Sequence, residues 1–146
     1  LIVSKNIFAS NDIEVKVGSY GDSCDDYLKI TIINRFDRVI RIDNKELPWV
    51  QGTSSIKMIM YDWNLGSAYS ANYLLTNPTD RRFVQLRPGE ALVGNLRLRD
   101  WFSEYGKSIR KKNMALYWTY IYLDNDSEEK LIKVGGVYLK KCNSIF

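Results

Sequence analysis

The chain reads as an all-β, antiparallel sandwich of about eight or nine strands. Three features point there: recurrent period-two alternation of apolar and polar residues, a Pro-Gly turn set between two such runs, and a long aromatic run over 114–123. Its 146 residues suit a single domain with a core of useful size. A hydrophobic share of 45% with 26% charged residues argues against a disordered or low-complexity chain.

Taken in order, Ile13, Val15 and Val17 alternate with Glu14 and Lys16, and Leu28, Ile30 and Ile32 alternate with Lys29 and Thr31. Each run is a strand with one buried face. The Gly, Ser and Asp content of 18–26 makes a loop between them. The segment 34–38 ends the second strand, and 39–42 begins another, joined by what reads as a hairpin-like link. Leu47-Pro48-Trp49 breaks the alternation and suits a sheet edge or a crossover, because proline cannot donate to a ladder.

The run 56–63 resumes as strand, with Ile56, Met58, Met60 and Asp62 on one face and Lys57, Ile59, Tyr61 and Trp63 on the other; both faces are expected to be mostly covered. From 64 to 80 the chain lacks a clean period and is the expected place for a functional loop, with a short helix over 68–75 as the alternative. Phe83, Val84 and Leu86 then lead into Arg87-Pro88-Gly89-Glu90, where Pro presets φ and Gly supplies the positive φ of a type II turn. Leu92, Gly94, Leu96 and Leu98 follow at period two, and Trp101 and Phe102 open a helical turn running to Gly106.

In the aromatic run, Met114, Leu116, Trp118, Tyr120 and Tyr122 share one face and Ala115, Tyr117, Thr119, Ile121 and Leu123 the other. A strand of that composition is expected at the centre of a sheet, with its rings committed to packing. Residues 124–127 close a hairpin, and 131–139 return as the last strand, with Gly135-Gly136 marking a bulge or a close approach.

The series Leu86, Pro88, Gly89, Glu90, Gly94, Leu96, Leu98, Trp118 and Tyr120 is similar to bacterial immunoglobulin-like sandwich domains, including those of secreted or periplasmic proteinase inhibitors and immunity proteins. The resemblance implies an immunoglobulin-like fold; a periplasmic or secreted location is expected, with a cytoplasmic one left open. The Cys, Trp, Cys spacing of immunoglobulin domains is absent, since Cys24 and Cys142 lie near the two ends.

Absences narrow the chemistry. With no histidine in the chain, imidazole-dependent nucleophilic catalysis and His-containing zinc sites are excluded. No GxxxxGK or GxGxxG motif is present. Asp22, Asp25, Asp26 and Glu90 could supply an acid and a base, but carboxylates in Gly- and Ser-rich loops are ordinarily turn formers, so the chain is read as a non-enzyme without cofactors. Asp124, Asp126 and Glu128 alternate like calcium ligands, yet the bending glycine of such a loop is missing, and the plain reading is a polar hairpin tip. Asn125-Asp126-Ser127 matches a glycosylation acceptor.

The net charge of +4 is spread over short groups, Arg35, Arg38 and Arg41, then Arg81 and Arg82, then Arg110, Lys111 and Lys112, which gives no continuous stripe for nucleic acid. No apolar run is long enough to span a bilayer as a helix. The opening LIVSKNIFASND fits either what remains after a signal peptide or what remains after a tag. Cys24 and Cys142 sit in polar surroundings and are expected to pair in an oxidising compartment.

The aromatic residues in irregular chain are the strongest functional signal. Trp49, Trp63, Tyr69 and Tyr73, with Arg81 and Arg82, are expected to contact a protein partner, a target enzyme or toxin, from the less regular chain 49–80, with the loop 64–80 and the loop 22–26 presented to it. The alternative is a carbohydrate-binding module that uses exposed Trp and Tyr rings with nearby Asp, Asn and Arg.

Overall fold

The computed structural model describes residues 12–19, 26–50, 55–72, 82–105, 111–124 and 126–142. Among them the chain is antiparallel β throughout, in nine strands. They are β1 (Ile13–Ser19), β2 (Tyr27–Asn34), β3 (Ile40–Asp43), β4 (Ile56–Asp62), β5 (Ser67–Ser70), β6 (Phe83–Leu86), β7 (Ala91–Arg97), β8 (Met114–Leu123) and β9 (Lys130–Leu139). A 3-10 turn (Asn44–Glu46) follows β3, and one helical turn, α1 (Leu98–Trp101), follows β7. The strands form a three-stranded sheet β1-β2-β7, a four-stranded sheet β5-β4-β8-β9 and a two-stranded ribbon β3-β6.

The alternation in the sequence sets the layers. Leu28, Ile30 and Ile32 of β2 stand opposite Leu96, Gly94 and Leu92 of β7, and Val15 and Val17 of β1 opposite Ile32 and Ile30. Across the sandwich, Ile56, Met58 and Met60 of β4 stand opposite Tyr120, Trp118 and Leu116 of β8. These faces join Ile40, Ile42 and Leu86 of the ribbon in one hydrophobic cluster. Each fully buried aliphatic side chain there contributes about 1.5 to 3 kcal/mol.

The Pro-Gly turn takes the expected form: Gly89 has φ +82°, and the Glu90 N–H donates to the Arg87 carbonyl at 3.0 Å. Its function in the fold differs from a simple hairpin. β6 pairs with β3 and β7 with β2, so the turn carries the chain from the ribbon to the three-stranded sheet. Glu90 stabilises it by accepting the Arg87 N–H at 2.8 Å.

Asn34, with no exposed surface, holds this crossing. Its Nδ2 donates to the carbonyls of Arg38 at 2.8 Å and Leu86 at 2.9 Å, and its Oδ1 accepts the Phe36 N–H at 2.9 Å. Its own N–H donates to the Glu90 carbonyl at 3.0 Å, and its carbonyl accepts the Gly89 N–H at 2.8 Å. One side chain thus turns the end of β2, and the same residue fastens β6 and the turn after it.

Four expectations change. The strand over 40–43 makes its ladder with β6 and not with β2, so the link after β2 is not a hairpin. The beginning of the aperiodic stretch is regular: Ser67–Ser70 pairs with β4 through a four-residue turn, which removes the helical alternative over its first residues. Gly135 and Gly136 leave the β8-β9 register unbroken, and Gly135 serves a close approach, since a Cβ on it would lie 2.5 Å from Trp118 Cζ2. The outward faces of β4 and β8 are not covered. Tyr117 and Ile59 are about half exposed at 47% and 48%.

Cys142, after β9, is disulfide-bonded, while Cys24 lies outside the described residues. No helix among the described residues is long and apolar enough to cross a membrane.

Three buried carboxylates are each met by cations. Arg97 and Arg99 converge on Asp26, Lys112 lies 3.2 Å from Asp62, and Arg38 pairs with Asp124. Burial pushes the Asp62 carboxyl up, but the Asn64 N–H, the Lys112 ammonium and the Leu65 N–H together hold it below its ordinary value of 3.8. Burial likewise opposes ionisation of Asp124, and the Asp126 N–H, Arg38 and the Ser127 hydroxyl outweigh it.

Replacing Asn34 with Ala is expected to lower stability by about 2 to 4 kcal/mol, because it strands two carbonyls and one N–H; urea unfolding checks this, and a loss under about 1 kcal/mol contradicts it. For Asp62 and Asp124, folded pKa values lie below the unfolded ones. Their contribution is therefore complete above about pH 4 and is lost as pH falls further through the folded values. Melting temperature against pH should drop steeply below about pH 4, and Asp124→Asn should be less stable at neutral pH with a shallower acid limb. An unchanged acid limb would show that Asp124 is not held ionised.

Candidate functional site

The outer face of the four-stranded sheet gathers the apolar residues that the core does not use. Side chains alternate along a strand, so the odd positions of β4 and β8 and the even positions of β5 and β9 point outward together. Register places Tyr61 of β4 beside Ala68 of β5 and Ala115 of β8, with Tyr138 of β9 beyond. The next row is Ser70, Ile59, Tyr117 and Gly136, then Lys57, Thr119 and Val134, and then Ile121 and Ile132.

Ile132, Val134 and Tyr138 expose 63%, 71% and 56% of their surface, so β9 forms the most open column of this face. Single exposed apolar residues are ordinary, but a contiguous set on one sheet face is not. Gly136 leaves a gap in the middle of that column beside the Tyr117 ring, since its Cβ position lies 3.6 Å from Tyr117 Cδ1.

The far end of the face is built by the turn after β4. The Asp62 Oδ1 accepts the Asn64 N–H at 2.9 Å, its carbonyl accepts the Gly66 N–H at 2.9 Å, and Gly66 takes φ +67°. This fixed turn puts Trp63 outward, 5.5 Å from Tyr61 in an edge-to-face contact at 83°. Trp63 is 61% exposed and Leu65 is exposed beside it. Charge on the face is of one sign: among the outward positions of the four strands, Lys57 and Lys130 are cationic and no carboxylate occurs.

Of the residues expected to contact a partner, the structure brings Trp63 onto this face and separates the others. Tyr69 stands opposite Met60 and packs against the core, pointing away from Trp63. Trp49 is half-buried, with its indole laid on Gly94 at the β7 edge. Arg82 is exposed next to the ribbon, its N–H 3.5 Å from Asn44 Oδ1. Tyr73 and Arg81 lie outside the described residues, as do Asp22, Asp25 and Asn125.

The remaining candidate carboxylates have structural partners. Asp26 accepts from Arg97 and Arg99, and Glu90 from the turn N–H. Asp124 and Asp126 both engage Arg38, which also lies 4.5 Å over the Phe36 ring. Among the described residues no group of three or more ligating side chains is placed to hold a metal ion.

Sequence reasoning passed over Ile59, Tyr117, Ile132, Val134 and Tyr138. For Ile59 and Tyr117 the signal lies in the runs 56–63 and 114–123, and for Ile132, Val134 and Tyr138 in 131–139; each run carries apolar residues at odd and even positions alike. Over 56–63 that pattern predicts two covered faces; the outward face of β4, β8 and β9 is instead open. No protein-family model matches the chain, and no curated protein sequence matches it.

Proposed function

We propose that this protein is a non-catalytic protein-binding module, in its concrete form an inhibitor or immunity protein that blocks a secreted or toxic enzyme, and that it docks through the outer face of the four-stranded sheet. The observation that carries this reading is the exposed set Trp63, Ile59, Tyr117, Val134, Ile132 and Tyr138, with half-buried Tyr61 between Trp63 and Ile59, on one sheet face. Aromatic and branched residues displayed on strands desolvate a large area without ordering a loop, so they favour tight association.

Charge describes the partner. Lys57 and Lys130 stand at the border of the apolar field and no outward carboxylate accompanies them, so the complementary surface is apolar at its centre and acidic at its rim. Many other cations are already neutralised: Arg35 by Glu14, Arg38 by Asp124, Lys112 by Asp62 and Lys133 by Asp12. This supports a protein partner over nucleic acid, which needs an uncommitted basic stripe. For Cys142 we propose Cys24, the other cysteine of the chain, as its disulfide partner.

Immobilised wild-type protein and an Ile132→Glu/Val134→Glu variant, exposed to secreted proteins of the native source, test the docking face. The expected partner is retained by the wild type and lost by the variant, with purified affinity reduced at least about 100-fold and a melting temperature within about 3 °C. If that partner is an enzyme, the wild type inhibits it and the variant does not. Equal retention by both proteins would remove the face from the interface, and a dimer that the double substitution dissociates would make it a self-contact. The cysteine pairing is checked by mass spectrometry of unreduced peptides, which should show Cys24 linked to Cys142; two free thiols would contradict it. Reduction is expected to lower stability by about 4 to 5 kcal/mol, given the length of chain enclosed.

A further inference from the structure

The four-stranded sheet ends at β9, whose far edge pairs with no other strand among the described residues. Hydrogen bonds alternate in direction along an antiparallel ladder, so one known pair fixes which backbone groups of β9 face that edge. The Asp124 N–H donates to the Glu129 carbonyl at 2.9 Å, and the register continues from this pair through Leu123 and Lys130. The odd-numbered residues of β9 therefore exchange their bonds with β8. The N–H and C=O groups of Ile132, Val134, Gly136 and Tyr138 point the other way.

This edge lacks the devices that ordinarily protect one. It is ten residues long, has no proline, and keeps its register with β8 without a bulge. The lysine at its centre, Lys133, is on the inward side, where its Nζ lies 2.8 Å from Asp12 Oδ1. β1 of the facing sheet approaches on that inward side and makes no ladder with β9. The other free edges are less suited to pairing: β5 has four residues, β1 displays Glu14 and Lys16, and β7 displays Asn95 and Arg97.

Charge along the strand is self-complementary. Glu128 and Glu129 immediately precede β9, Lys140 and Lys141 immediately follow it, and all four are exposed. Two copies of β9 laid side by side in the antiparallel sense bring the acidic start of each against the basic end of the other; a parallel arrangement sets like charges together. An axis at Val134 sets Lys130 against the partner's Tyr138, Ile132 against the partner's Gly136 and Lys133 against the partner's Gly135. Moving the axis one residue back opposes Lys133 to itself, and one residue forward opposes Lys130 to Lys140, both of which are unfavourable.

We propose that this protein forms a two-fold dimer by antiparallel pairing of β9 with β9 of a second copy, which joins the two four-stranded sheets into one. The short free edge of β5 ends the joined sheet on both sides, so the assembly closes at two copies. The pairing uses backbone groups, and the side chains of Ile132, Val134 and Tyr138 stay on the outward face. The dimer therefore extends the docking face without covering it, and each proposal can fail alone.

The test follows the full chain, disulfide intact, by sedimentation over a range of concentrations and by residue-resolved amide hydrogen exchange. A concentration-dependent dimer is expected, in which the amides of Ile132, Val134 and Tyr138 exchange at least about tenfold more slowly than in the monomer. Glu128→Lys/Glu129→Lys and Lys140→Glu/Lys141→Glu should each weaken self-association at least about tenfold, because like charges then meet at both ends; an equimolar mixture of the two variants should form a heterodimer at least as tight as the wild-type dimer. All four positions are exposed, so both variants should fold, which circular dichroism verifies, and both should retain the partner of the docking face. A monomer at every concentration overturns the proposal. So does a dimer that both double substitutions leave unchanged, or one whose edge amides exchange at the monomer rate, since either would place the contact on another surface.

Discussion

Asn34 is the residue on which the crossing between the sheets depends. A sandwich in which consecutive strands belong to different ladders must satisfy backbone groups where the chain leaves one sheet for another. Five hydrogen bonds converge on this fully buried position, three through the side chain and two through the backbone. They join the end of β2 to the end of β6 and to the Pro-Gly turn, so the ribbon and the three-stranded sheet share one geometry. A carboxylate there could accept but not donate, and a hydroxyl could not reach three groups; the amide supplies two donors and an acceptor from one planar unit.

Electrostatics follows the same economy of position. Asp26, Asp62 and Asp124 are each nearly buried and each stands at a strand terminus, Asp26 just before β2, Asp62 at the end of β4 and Asp124 just after β8. Their oxygens take up turn N–H groups and arginine or lysine cations, so that part of the chain's positive charge is neutralised in place. The outer face of the four-stranded sheet is thereby left with little charge except Lys57 and Lys130. The β7 edge is left with an arginine already oriented by Asp26.

The legible part of the fold was its local part. Period-two alternation located β1, β2, β4, β7 and β8 and separated the two faces of β8 correctly, because burial on one face of a strand leaves a direct trace in residue order, and β9 followed as the return strand of a hairpin. The type II turn was equally readable, since only glycine accepts its positive φ without strain. Pairing was not readable. β3 joins β6 across a long intervening stretch, and nothing within Ile40–Asp43 specifies that partner. The hairpin at 63–70 escaped notice because its turn is organised by the Asp62 carboxylate and Gly66 in place of an Asn-Gly pair, and β5 is only four residues long. Of the site, Trp63 could be picked out as an aromatic in irregular chain. Val134 and Ile132 could not, because an exposed branched residue and a buried one leave the same mark in an alternating strand.

The contact between Trp118 and Gly135 bears on how the last two strands find each other. β8 and β9 are ten residues each, rich in apolar side chains on both faces, and a hydrophobic pattern of that kind discriminates poorly between registers. The indole of Trp118 needs a partner without a side chain directly opposite, and only Gly135 provides it on the inward face. Sliding β9 by two residues keeps the faces in place but brings Lys133 or Val137 under the ring, and the indole would then have to leave the core. The glycine and the tryptophan together act as a key and its slot, selecting one alignment of an otherwise permissive hairpin and with it the position of every residue that β9 displays to the outside.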